Sequence, residues 1–170
     1  GTESPSTFNP TELDTRQWVK TVKEAGFTAA IITAKHHDGF CLWQTEYTEH
    51  SIKNSPYKNG KGDIVREFTD ACAEYGIKAG IYLSPWDRHE PTWGKDEYND
   101  FYVGQLTELL TNYGKIDALF WDIPPCNYDA SVNEYVRSLA PNIFINDRGY
   151  SEGDYSTPER EVPKGQGFSR

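Results

Sequence analysis

Two adjacent histidines flanked by charge, Lys35-His36-His37-Asp38, follow directly on the apolar run Ala29–Ala34 and are followed by Gly39. A lone histidine most often just satisfies a backbone carbonyl. Two together, beside Lys35 and Asp38 and close to Phe40 and Trp43, read instead as a site presented by a rigid support. Asp122 is the sharpest single residue. It follows Ala118-Leu119-Phe120-Trp121, so it stands at the tip of an apolar strand against an indole. A carboxylate held in that way can act as a nucleophile toward an anomeric carbon, provided it is ionised. Arg148, at the end of the next apolar segment, is expected to keep it so. Such chemistry needs a second carboxylate as acid and base. Glu152, Asp154, Glu159 and Glu161 are the loop acids available. Retaining glycosidases hold the two groups about 5–5.5 Å apart.

The elements that must position these groups alternate regularly. Asp14 and Gly26 bound a helix with Trp18, Val19, Val22 and Ala25 on its apolar side. Asp63 and Gly76 bound a second helix, residues 96–113 read as a third, and Ser131 is the expected cap of a fourth. Between them lie short apolar strands near 28–34, 78–83, 117–122 and 143–146. The first is expected to be buried on both faces. Residues 36–62 form one long loop, and a loop of that length in a compact domain is usually functional. Helix and strand in strict alternation predict an α/β fold with a parallel sheet. Each strand ends in polar residues: Lys35-His36-His37, Ser84 with Trp86, Asp122, and Asp147-Arg148. In a (β/α)8 barrel those ends converge on the face that carries the active site. The expectation is therefore a partial (β/α)8 TIM-like barrel with parallel strands and outer helices.

Composition narrows the partners. The chain has 170 residues, where a closed eight-stranded barrel usually needs about 250. The formal net charge of −9 argues against nucleic acid and anionic membrane surfaces. No apolar run approaches a membrane span, and no signal peptide is present. Five Trp and eleven Tyr exceed what a core needs and suit a ring-bearing ligand such as a sugar. Cys41, Cys72 and Cys126 form no C-x-x-C pair, so a structural zinc site is not expected. No G-x-G-x-x-G or P-loop is present, and no cofactor is expected.

K-H-H-D-G-F-C-L-W, then Y-L-S-P-W, then F-W-D at a strand end, then I-N-D-R resemble, in this order, the α-L-fucosidases of glycoside hydrolase family 29. The resemblance covers residues 8–170 or so. It implies a retaining exo-α-L-fucosidase that releases terminal L-fucose from a fucosylated oligosaccharide or glycoconjugate by double displacement. It implies Asp122 as nucleophile, His36 and His37 on fucose hydroxyls, Trp43 lining the sugar pocket, Tyr82 near the nucleophile and Arg148 close by. Glu159, in D-Y-S-T-P-E, matches the acid/base of part of the family, with Glu161 as a rival. Where the family continues with Asp-Gly, Asp122 is followed by Ile123-Pro124-Pro125. The family's first barrel strand, its last strands and its C-terminal β-sandwich have no counterpart, so residues 1–170 read as a fragment of one catalytic domain. The resemblance also implies a periplasmic or secreted location; it says nothing of oligomeric state.

Two other readings compete. One is a metal-dependent barrel hydrolase built on His36, His37, Asp38 and His89. Neighbouring histidines on an extended segment should point to opposite faces, which argues against a shared ion. The other is a sugar-binding barrel domain without catalysis, which needs the aromatics and histidines but no second carboxylate.

Overall fold

The computed structural model describes residues 1–122, 131–150 and 152–159. Four helices, α1 (Thr15–Glu24), α2 (Ile64–Tyr75), α3 (Glu97–Asn112) and α4 (Ser131–Leu139), alternate with four strands, β1 (Ala29–Lys35), β2 (Lys78–Leu83), β3 (Ala118–Phe120) and β4 (Phe144–Ile145). The strands form one sheet in the order β1-β2-β3-β4, and every neighbouring pair is parallel. The architecture is α/β, a partial (β/α)8 arrangement.

Local chemistry sets the boundaries. Asp14 accepts from the Gln17 amide at 3.0 Å and Asp63 from the Arg66 amide at 2.8 Å, so both cap the helices that follow them. Gly76 closes α2 with φ +65°, a left-handed conformation that side chains resist. Ser131, expected as the cap of α4, is itself helical. The long loop holds two short 3-10 turns, Ile52–Asn54 and Tyr57–Gly60. It is well packed: Cys41, Trp43, Ile52 and Tyr57 are all buried.

Register divides the sheet into two faces. Ile32, Ile81, Leu119 and Ile145 are register partners and all are buried in the core that the helices share. Ile31, Gly80, Ala118 and Phe144 are the partners on the opposite face. There Ile31 is 44% exposed and Phe144 55%. Thus β1 is buried on one face only, not on both as its apolar run suggests. The open face is the one that would line a barrel's interior. Gly80 is needed there, since a Cβ would meet Ile31 Cγ1 at 2.7 Å.

A register shift between Thr33 and Lys35 breaks the alternation at the C-terminal end of β1. Ala34 and Lys35 are both buried as a result. Lys35 Nζ donates to Asp87 Oδ2 at 3.0 Å and to Gln105 Oε1 at 2.8 Å, and it lies over the Phe101 and Tyr102 rings. Burial alone would raise the Asp87 pKa. Lys35 and the Glu90 and His89 amides outweigh that and lower it. Cys41 and Cys72 are buried free thiols. Among the described residues no helix is long and apolar enough to cross a membrane.

Candidate active site

Asp122 is placed by the backbone that precedes it. Trp121 is fully buried, with its indole N–H on Asn133 Oδ1 at 3.1 Å. Asn146, at the end of β4, accepts from the Trp121 amide at 2.7 Å and donates to the Trp121 carbonyl at 2.6 Å. A side-chain amide thus continues the β3–β4 ladder one step beyond the strands. The next residue, Asp122, emerges from a clamped backbone. Gly149 completes the fit, because a Cβ there would collide with the Trp121 ring.

Both Asp122 oxygens accept hydrogen bonds. Tyr82, which projects from the open face of β2, donates its hydroxyl to Oδ2 at 2.6 Å. Arg148 Nη1 donates to Oδ1 at 2.9 Å. Burial pushes the Tyr82 phenol pKa upward, and the Asp122 bond adds to the shift, so Tyr82 stays a donor at neutral pH. Arg148 Nη1 also donates to Glu159 Oε1 at 2.8 Å. Its Nε and Nη2 are tied to the Thr157 carbonyl. The guanidinium pKa is raised, first by its Glu159 bond. One nitrogen therefore spans two carboxylates. Their nearer oxygens lie no further apart than two hydrogen bonds end to end. Glu159 is the exposed member, at 65%.

His37 faces the same carboxylate. Its Nε2 lies 3.5 Å from Asp122 Oδ2, and its Nδ1 lies 2.6 Å from Ser84 Oγ. Ser84 has one proton, and its Oγ donates to the Trp86 carbonyl at 2.9 Å. Ser84 must therefore accept from His37 Nδ1–H, which leaves the Nε2 lone pair turned toward Asp122. Burial lowers the His37 pKa, and neighbouring His36 lowers it further, which fits a neutral ring. An acceptor nitrogen facing an acceptor oxygen is a slot for a hydroxyl donor. His36 stacks parallel on Tyr82 at 5.5 Å and lies 4.0 Å from the His37 ring.

The two histidines thus stand side by side, contrary to the expectation that they point to opposite faces. They lie beyond the end of β1, in a turn closed by the Gly39 amide on the His36 carbonyl at 3.0 Å, so strand alternation does not govern them. Ring nitrogens of His36 and His37 and an Asp122 oxygen lie within 4.8 Å of one another, close enough to hold an ion. However, Arg148 puts a positive charge on that carboxylate and Tyr82 occupies its other oxygen, so the surroundings disfavour a cation.

His36, His37, Tyr82, Asp122, Arg148 and Glu159 are therefore brought together at the C-terminal ends of the strands. Trp43 is not open to a ligand. It is fully buried, and its indole N–H donates to Glu108 Oε2 at 2.9 Å. Glu108 also binds the Thr45 hydroxyl and the Glu46 amide, so Trp43 anchors the long loop onto α3. Glu161, Cys126 and residues 123–125 lie outside the described residues. Ser84 and Asn146 are the positioning residues that sequence reasoning passed over. Their place at the polar strand ends was the available signal.

A family model described as α-L-fucosidase matches residues 2–168. The chain belongs to the α-L-fucosidase family. It is 56% identical over 123 residues to "Alpha-L-fucosidase 1" of Arabidopsis thaliana, covering 72% of this chain and 24% of that protein. The chain thus spans about a quarter of the length of this curated relative. Among solved structures, a glycoside hydrolase 29 family member from an unknown rumen bacterium superimposes with a TM-score of 0.84 at 42% identity. That match covers 92% of this chain and 32% of the other. The α-L-fucosidase AlfC of Lactobacillus casei, in complex with α-L-fucose product, gives 0.81 at 27% identity, covering 94% and 59%.

Proposed function

We propose that this chain carries the catalytic centre of a retaining exo-α-L-fucosidase that removes terminal L-fucose from fucosylated oligosaccharides or glycoconjugates. Asp122 attacks the anomeric carbon, the bond from that carbon to the leaving oxygen breaks, and Glu159 supplies the proton to the leaving oxygen. Water then attacks the glycosyl ester as Glu159 takes its proton, and the Asp122 carboxylate is released. Tyr82 and Arg148 hold Asp122 in line, and the His37 Nε2 acceptor, with His36 beside it, takes fucose hydroxyls. Arg148 is fixed by Asp122 and Thr157, so exposed Glu159 is the member free to leave that contact as substrate enters. The observation that carries the reading is the single Arg148 nitrogen bridging Asp122 and Glu159. It supports a short carboxylate separation, below the roughly 6.5 Å at which inverting enzymes begin. Membership in the family supports the choice of L-fucose.

The relatives' greater length and, among the described residues, the open outer edge of most of β1 support a further part of the proposal, that these residues work within a complete barrel. The family resemblance alone supports a periplasmic or secreted location. The deciding experiment is hydrolysis of an aryl α-L-fucoside followed by NMR of the nascent sugar. Release of α-L-fucose by the unsubstituted protein, lost in Asp122→Ala, is expected. Release of the β-anomer would overturn the retaining mechanism, and full turnover by Asp122→Ala would overturn the site.

A further inference from the structure

The His37 ring leads outward into an aromatic path that the chemistry above does not use. Trp86 lies 5.1 Å from His37, and Trp93 lies 6.1 Å from Trp86. Both tryptophans belong to the β2–α3 loop at the C-terminal end of the sheet. The loop is tied to the site, because the Arg88 amide donates to the His37 carbonyl at 2.9 Å. It is also braced internally. Asp87 Oδ1 accepts from the His89 and Glu90 amides, the Glu90 carboxylate accepts from the Thr92 amide and hydroxyl, and the Trp93 amide donates to the Glu90 carbonyl. Asp87 itself is held by buried Lys35. The loop therefore presents Trp93 on a built support, and the Trp93 side chain is 39% exposed. The Arg88 guanidinium rests on the Trp86 ring at 4.4 Å, and among the described residues no carboxylate pairs with it.

We propose that Trp86, Trp93 and Arg88 form the subsite for the sugar to which the fucosyl group is attached, with a pyranose ring stacked on Trp93 and its hydroxyls bonded by Arg88. The proposal rests on the fucosidase reading. It follows from continuity: the path begins at the histidine that faces the nucleophile and ends at an exposed indole, with a donor fork beside it. Apolar sugar faces stack on indole, and guanidinium N–H groups suit hydroxyl oxygens. The loop would then select for what leaves, while Asp122, Arg148 and the histidines select for fucose.

The test compares two substrates in the complete protein: the fucosyl disaccharide it cleaves best, and α-L-fucosyl fluoride, whose leaving group has no ring. For Trp93→Ala we expect the disaccharide KM to rise about tenfold, the magnitude of one aromatic stack. Fluoride turnover should stay at the unsubstituted level, which also shows that the variant is folded. Trp93→Phe should restore most of the loss. If Trp93→Ala changes neither substrate, or impairs both equally, the subsite is wrong and the fucosidase reading stands. If the unsubstituted protein cleaves the fluoride but no disaccharide, the subsite is likewise wrong. If it cleaves neither, the fucosidase reading falls and the subsite falls with it.

Discussion

Asp122 and Glu159 share one Arg148 nitrogen, yet their losses should look different. Asp122→Ala removes the attacking group, so both chemical steps fail for every fucoside. Glu159→Ala removes proton transfer, which typically contributes about 10²–10⁴-fold. Turnover of natural fucosides should fall by that order, and of activated aryl fucosides much less. Azide should restore the second step in Glu159→Ala and form fucosyl azide, because azide needs no general base. A variant of Glu159 with normal turnover would transfer the role to Glu161. His37 yields a second prediction at this scale. Its pKa is lowered by burial and by His36, so in the folded protein it should titrate below the ordinary 6.5, measured by ¹⁵N NMR of the imidazole. The unfolded chain binds that proton first. The His37 contribution to stability is therefore complete above about pH 6.5 and is lost as pH falls through the folded value. His37→Gln should flatten the acid limb of the stability curve. The sequence made these residue types and their strand-end positions legible. It could not show which nitrogen of His37 faces Asp122, since a Ser84 proton committed to the Trp86 carbonyl decides that. Nor could it tell an indole that stacks on a sugar from Trp43, whose N–H belongs to Glu108.

At the scale of elements, the end of β1 is governed by one buried ion pair. The register shift after Thr33 turns Lys35 into the core, where Asp87 and Gln105 satisfy it. Lys35→Met would leave the Asp87 charge buried without its partner. Breaking such a pair costs about 3–5 kcal/mol, and denaturant unfolding should show a loss of that size. Lys35→Met combined with Asp87→Asn should recover part of it, because the stranded charge is then gone. The same single variant should loosen both loops that the pair joins, the one after β1 carrying His36 and His37 and the one after β2 carrying Trp86 and Trp93. The alternation of helices and strands was readable because amphipathic periods and the caps Asp14, Asp63 and Gly76 are local signals. The bulge was not, since it depends on Lys35 finding partners 52 and 70 residues away.

At the scale of the molecule, the two sheet faces have opposite fates. The helix-facing layer, Ile32, Ile81, Leu119 and Ile145, is closed. The other face shows Ile31 and Phe144 to solvent, and among the described residues most of β1 has no partner on its outer edge, whereas on β4 the Ile145 amide and carbonyl both bond Asp154. Exposed apolar groups beside open strand edges favour association between copies. Residues 1–170 expressed alone should therefore self-associate and show little fucosidase activity. A complete barrel would bury Phe144 in its interior layer, and this reverses the sign of one substitution. In the isolated segment, Phe144→Ala should leave stability nearly unchanged and reduce association, because the side chain is already 55% exposed. In the complete barrel the same change opens a cavity and should cost about 3–5 kcal/mol in denaturant unfolding. Ultracentrifugation of the segment and unfolding of the whole protein measure the two halves. Equal, small effects in both settings would mean that this face is not a barrel interior. A large loss confined to the complete protein is the expected signature of a layer that only the remaining strands can close.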